Sequence, residues 1–333
     1  MWHMAWSMPL RKEHFFRVFR GLKVFSRYRT MINDIVKKIP MRLKPGDCIG
    51  IVAPASPFEE KDFFDGICVL ESMGFRVSFS EGVFARSGYL AGSDVDRATQ
   101  VNAAFADTAV QAIVCARGGY GSMQILPYLD YEAISQHPKL LMGFSDITAL
   151  LCSLYQCSGL VSCHGPVVTT LKNAGSKTLE SVLNVLTSNE LPTMQIEKGI
   201  VLSPGKAFGP VICGNLTTLC HLVGTPFQPE MNGHILIVED TGEKPYRIDR
   251  MLTQMKLAGV FNGLCGLGVG SFENCGEADE LYEIIVRMFS PIHIPILAGF
   301  DIGHGLENIA VPFGCEAILD ADHQLLTYRL IAG

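Results

Sequence analysis

From position 41 onward, short apolar runs alternate with segments whose apolar residues recur at helical spacing. CIGIVAP (48–54) reads as a buried strand, the amphipathic run 58–73 as a helix, and RVSFS (76–80) as the next strand. The run 95–107 repeats the helical pattern, with Ser93 or Asp94 placed to cap it. QAIVCA (111–116) is a strand running into glycines. A helix is expected over 122–129, a strand over 140–144 (LLMGF) and a helix over 146–155. Apolar strands alternating with helices predict a parallel sheet covered on both faces, and ligands of such sheets bind where the strands end.

Residues 172–200 are polar, contain Pro192, and read as a connecting region with one short helix near 178–187. Beyond them the texture changes to short strands: IVLSPG, AFGPVICG, HILIVED, GLCGLGVGSF, ILAGFD and EAILD, with one strong helix at 246–259. The expected fold class is therefore α/β: an N-terminal parallel-sheet domain over 41–171, then a strand-rich C-terminal α/β domain over 201–333. Residues 1–40 mix aromatic residues with Arg and Lys and stand apart, as a start codon called too early, a basic amphipathic arm for a membrane surface, or an extra helix. On the first of these, a chain beginning at Met41 folds and turns over normally.

Composition narrows the class. The 333 residues are 48% hydrophobic and 18% charged, which excludes disorder and leaves room for two cores. The formal net charge is −6, and since positions 1–40 hold nine Lys/Arg against two acids, the body from 41 is more acidic still. A nucleic-acid partner is disfavoured. Eleven cysteines, an odd number without a C-x-x-C pair, lie largely in apolar runs and read as reduced thiols in a cytoplasmic compartment. The longest stretch free of charge, 147–171, is too polar and too broken by Gly and Pro to span a membrane. The N-terminus lacks the apolar core of a secretory signal.

Candidate chemistry begins at Met142-Gly-Phe-Ser-Asp-Ile147, where an apolar strand meets a serine and then a helical pattern. Gly143 permits a tight strand-to-helix bend that lifts Ser145 above the sheet, and the following helix start offers free N–H groups to an oxyanion. A plain helix cap has the same spelling. For a base, His304 stands out in AGFDIGHG, flanked by glycines after an apolar strand, with His164 in SCHGP as second choice. An orienting carboxylate is offered where HILIVED ends, by Glu239 or Asp240 equally. The order Ser, acid, His is one that hydrolytic triads use. Arg117-Gly-Gly-Tyr-Gly121 follows a strand and could supply backbone donors. Nucleotide fingerprints and zinc-ligand spacings are missing, so no cofactor or metal is implied.

MRLKPGDCIGIVAPAS (41–56), ARGGYG (116–121), GFSDIT (143–148), HGPV (164–167), CGNLTTL (213–219), VEDTGEKPYRIDRML (238–252) and GFDIGHG (299–305) together resemble the LD-carboxypeptidase family of serine peptidases. The resemblance covers nearly all of 41–333. It implies a Ser145–Glu239–His304 triad, Glu239 being preferred over Asp240, in a cleft between the two domains. It implies an oxyanion hole from the N–H groups of Asp146 and of Gly118 or Gly119. It further implies release of the terminal D-alanine from cytoplasmic murein tetrapeptides during cell-wall recycling, without a cofactor, and a homodimer. An exopeptidase also needs a partner for the substrate's carboxylate, for which Arg117, Lys244 and Arg247 are candidates. A branch of the family cuts peptidyl-nucleotide antibiotics of the microcin C type. A non-catalytic murein-peptide-binding protein is the reading from another class.

Overall fold

The computed structural model describes residues 37–190 and 193–329, and the segment 1–36 lies outside them, as does Pro192. In chain order the first five strands are β1 (Cys48–Val52), β2 (Arg76–Phe79), β3 (Ala112–Cys115), β4 (Leu140–Gly143) and β5 (Ser162–His164). Next come β6 (Thr193–Gln195), β7 (Ile200–Ser203), β8 (Lys206–Asn215), β9 (Ile235–Thr241) and β10 (Gly266–Glu273). The last are β11 (Ile296–Ala298), β12 (Val311–Phe313), β13 (Glu316–Asp320) and β14 (Leu325–Tyr328).

They form two sheets, ordered β12-β5-β4-β3-β1-β2 and β6-β14-β13-β8-β9-β10-β11-β7. Strands β1 to β5 are parallel, as the apolar runs predict. The second sheet is parallel through β8, β9, β10 and β11 and antiparallel at its wings. Helices expected from periodicity form over Glu60–Ser72, Asp94–Ala106, Ser176–Thr187 and Pro245–Leu257. Ser93 caps the second of these by accepting the Asp96 N–H.

The strand-rich half holds more helix than its sequence texture suggests. Ala278–Phe289 is a full amphipathic helix that buries Leu281, Ile284, Ile285, Met288 and Phe289, spaced along one face. The connecting region is also more than a linker. Its helix puts Val182, Val185 and Leu186 into the core of the first sheet, while β6 joins the edge of the second. In return, β12 crosses back to pair with β5, Val311 opposite His164.

The Thr148–Ser158 helix ties the halves together. Leu150, Leu151, Cys152 and Leu154 are all fully buried, and they share one apolar core with Ile212 and Leu236 of the second sheet. A helix apolar all round belongs between layers. At its start, Thr148 Oγ1 accepts the Asn215 N–H at 3.0 Å. A Cβ on Gly214 would lie 2.3 Å from Thr148 Cγ2. Close approach of the halves, three residues from Ser145, therefore requires that glycine.

Residues just upstream of 41 already pack against the rest of the described structure. Lys38 pairs beside Leu160, its N–H donating to the Gly159 carbonyl at 2.8 Å and its carbonyl accepting the Val161 N–H at 2.9 Å, and Lys37 Nζ meets Glu316 at 2.7 Å. These contacts set a first prediction. Relative to a chain beginning at Lys37, one beginning at Met41 is expected to fold but to lose about 1–3 kcal/mol. A melting comparison reads this as a midpoint lower by a few degrees. Equal midpoints would show that these four residues contribute nothing.

Candidate active site

Three neighbouring strands of the first sheet, β1, β3 and β4, end at one place, and their following loops build half of the site. After β4 the chain turns through Ser145–Ile147 into the Thr148–Ser158 helix. A Cβ on Gly143 would fall 2.8 Å from the Ile147 side chain, so the tight bend depends on glycine. Ser145 itself has φ +63°. A non-glycine residue there is uncommon and strained, a condition that clusters at active sites.

The glycine turn lies against this serine. A Cβ on Gly118 would be 3.1 Å from Ser145 Cβ and 3.4 Å from its Oγ. Gly119 and Gly121 have φ +100° and +120°. Among the described residues, the N–H groups of Gly118, Gly119 and Asp146 donate to no acceptor, leaving them for a ligand. The turn is gripped from two sides. Ser56 Oγ accepts the Tyr120 N–H at 3.0 Å. Arg97, fully buried, donates through Nη1 to the carbonyls of Pro54 and Gly121 and through Nη2 to Asp94 and Gln124. Ser122 then donates its N–H to the Asp146 carboxylate at 2.8 Å and its hydroxyl to the Asp146 carbonyl. Burial pushes the Asp146 carboxyl up, against the hydrogen bonds from Ser122.

Arg97, Ser56 and Ser122 were not singled out from sequence. For Arg97 a signal exists: it stands four residues before Val101 and eight before Phe105, on the buried stripe of its helix. A charged residue there must find partners.

The second sheet supplies the other half. Glu239 lies at the end of β9, in register with Asn215, and is fully buried. Its Oε2 meets His304 Nδ1 at 2.7 Å. A Cβ on Gly303 (φ +113°) would stand 2.5 Å from that oxygen, so only glycine lets the loop carry His304 so close. The loop is pinned by Gly303 N–H to Asn308 Oδ1 at 3.0 Å and Gly305 N–H to Ser271 Oγ at 3.2 Å. Burial raises the Glu239 carboxyl above its ordinary range, with the His304 hydrogen bond opposing it. Burial would lower the His304 imidazole, but the Glu239 hydrogen bond and charge, with Asp240 and Glu273 beyond, raise it overall. A carboxylate on Nδ1 holds the proton there and leaves Nε2 basic.

Asp240 does something else. It accepts from Asn215 Nδ2 (3.0 Å), Thr217 N (2.9 Å), Thr217 Oγ1 (2.8 Å) and Thr241 N (2.8 Å), which fixes the start of the Leu216–His221 helix. His164 is fully buried with neither ring nitrogen bonded among the described residues, and burial with nearby His304 pushes it down to about 3. It has no carboxylate to orient it. The Phe144 ring stands beside both imidazoles, 6.1 Å from His164 and 4.9 Å from His304 between centroids. Phe144, the residue before Ser145, is thus packed against the His304 ring. No hydrogen bond joins Ser145 to His304 in this structure.

The three expected cations are all exposed. Arg117 Nη1 donates to the Pro57 carbonyl at 2.7 Å, and Arg247 meets Glu243 at 3.4 Å. Lys244 precedes the Pro245–Leu257 helix. Among the described residues no group of three or more His, Cys, Asp or Glu could hold a metal ion. No described helix is long and apolar enough to cross a membrane.

The likeness to known proteins covers both halves. A sequence model of the LD-carboxypeptidase N-terminal domain matches residues 49–165, and one of the LD-carboxypeptidase C-terminal domain matches 208–319. A Bacillus subtilis protein named a probable murein peptide carboxypeptidase is 36% identical over 84% of this chain and 91% of its own. The crystal structure of an MccF-like protein from Bacillus anthracis superposes with TM-score 0.81 at 27% identity, covering 87% of this chain and 99% of that one. A muramoyltetrapeptide carboxypeptidase from Oxalobacter formigenes gives TM-score 0.75 at 29% identity, covering 84% and 97%. Matched in sequence across both sheets and in fold over most of its length, the chain belongs to the LD-carboxypeptidase family.

Proposed function

We propose that this protein is a serine carboxypeptidase that releases the terminal D-alanine from murein tetrapeptides in peptidoglycan recycling. The observation that carries the reading is the fully buried Glu239 bonded to His304, whose ring lies 4.9 Å from that of Phe144, the residue before the strained Ser145. His304 Nε2 takes the Ser145 proton as Oγ attacks the carbonyl. Glu239 holds the tautomer and stabilises the imidazolium. The oxyanion is received by the N–H groups of Asp146 and of Gly118 or Gly119. The proton passes to the leaving amine, and water hydrolyses the acyl-enzyme. In this scheme 41–171 carries the nucleophile and 201–333 the acid and base. Eleven free thiols, most of them buried, suit a reducing compartment.

Mass spectrometry of a murein tetrapeptide incubated with the protein tests the reading, loss of one alanine being expected and an intact peptide counting against it. Likeness to a microcin C7 self-immunity protein, one structure of which holds aspartyl sulfamoyl adenosine, supports a second substrate, a peptidyl nucleotide of the microcin C type. Cleavage of an aminoacyl-sulfamoyl adenosine in preference to the tetrapeptide would favour it. Binding of the tetrapeptide without cleavage would favour a non-catalytic receptor.

The environment of His304 sets the pH dependence. Its pKa is raised from 6.5, and the base must be neutral to accept a proton. Activity is therefore present above the raised value and lost as pH falls through it. The acid limb of kcat/KM is expected above pH 6.5, and a midpoint below 6.5 would contradict the Glu239–His304 pairing.

A further inference from the structure

A cavity of about 330 Å³ has His304 among its lining residues. The loop that carries His304 and Leu306 forms one wall, and Thr169, Asn173 and Ala174, on and just after the Val168–Leu171 helix, line it too. Phe144, the residue before Ser145, also lines it.

Both walls are built firmly. A Cβ on Gly66 would fall 1.9 Å from the Val168 carbonyl oxygen, so the Glu60–Ser72 helix seats directly on the first wall. The Thr169 N–H donates to the Ala116 carbonyl at 3.1 Å. On the other side the Asn308 N–H donates to Thr178 Oγ1 at 2.8 Å, and the Thr178 N–H donates to Glu307 at 2.9 Å.

Apart from His304 itself, the chemistry of the lining is neutral. No Lys or Arg is among the lining residues. The nearest lysines in sequence are engaged elsewhere, Lys172 with Asp65 and Lys177 with Glu197. The Thr169 hydroxyl and the Asn173 amide make no hydrogen bond among the described residues. Arg117, Lys244 and Arg247 do not line the cavity.

We propose that this cavity receives the leaving amino acid and recognises its terminus through neutral donors, so that a carboxamide is accepted nearly as well as a carboxylate. The proposal rests on His304 serving as base and then as acid. In that step the C–N bond breaks as the ester to Ser145 Oγ forms, and the proton from Oγ passes through Nε2 to the departing nitrogen. That nitrogen must reach the imidazole, so whatever is attached to it extends to the imidazole side. The cavity has both His304 and Phe144 in its lining and is larger than one alanine. The acyl portion of the substrate then runs away from it, past the glycine turn.

The test has two arms. In the first, Ala174→Trp, with Asn173→Trp as an independent filling variant at an exposed position, is assayed on the tetrapeptide and with a small fluorophosphonate. That probe loses only fluoride and needs no leaving-group space. Turnover is expected to fall at least about tenfold relative to the rate of Ser145 labelling. Unchanged turnover with the cavity filled, in a folded variant, overturns the proposal. Failure of the unaltered protein to be labelled at Ser145 would instead remove the nucleophile reading beneath it. In the second arm the unaltered protein is given tetrapeptides ending in D-alanine and in D-alaninamide. Rates within about tenfold of one another are expected, whereas a preference for the acid of about 10³-fold or more would mean a cation holds the terminus and would overturn the neutral-donor assignment.

Discussion

Replacing Ser145 with alanine is expected to reduce D-alanine release by about 10⁴–10⁶-fold, because the members of a nucleophile–base unit act together and losing one removes nearly all their contribution. The fold is expected to survive. Ser145 is half-buried, its hydroxyl makes no hydrogen bond among the described residues, and alanine keeps the backbone as it is. Ser145→Gly sharpens the test, since glycine occupies φ +63° without strain. It is expected to be as inactive as the alanine variant yet more stable than the unaltered protein by about 1 kcal/mol. Kinetics and thermal melting of the two variants read both effects. Turnover retained in Ser145→Ala would remove the nucleophile. A lower midpoint in Ser145→Gly would show that any strain stored by the positive φ is smaller than the chain entropy that glycine adds.

The same turn shows what a sequence can and cannot disclose. The strands β1, β3 and β4 are legible because each is an unbroken apolar run between turn residues, and Ser145 is legible because a glycine precedes it where strand becomes helix. The motifs in order also made the family legible, and both family matches bear that out. Other features depend on partners far along the chain. That β12 pairs with β5 rather than with its sequence neighbours rests on contacts between residues 311–313 and 162–164. The choice between Glu239 and Asp240 is equally invisible locally, since both end one buried strand and only the fold gives one a histidine and the other a helix start. The Ala278–Phe289 helix is a different case. Its apolar spacing was present in the sequence but stood among short strands that set the expectation for that half.

Glu239 and Asp240, adjacent and both buried, are expected to respond to neutralisation in opposite ways. Glu239→Gln is expected to lower kcat by about 10³–10⁴-fold with little change in KM, because an amide does not enforce the Nδ1–H tautomer or stabilise the imidazolium. It is not expected to destabilise the fold. Burial raises the Glu239 carboxyl, and a carboxyl whose folded pKa exceeds its unfolded value costs stability once pH climbs through that range. Removing its charge at pH 7 therefore leaves stability unchanged or higher. Its Oε1 has no partner among the described residues to lose. Asp240→Asn removes an acceptor that binds Thr217 twice as well as Asn215 and Thr241, and an amide cannot accept from all of them. A loss of about 1–3 kcal/mol in denaturant melts is expected there, with a smaller effect on kcat than in Glu239→Gln. Should Glu239→Gln instead lose stability and keep its kcat, the buried carboxylate would be holding the sheets together rather than orienting a base. His304 would then have no catalytic orienter on either sheet.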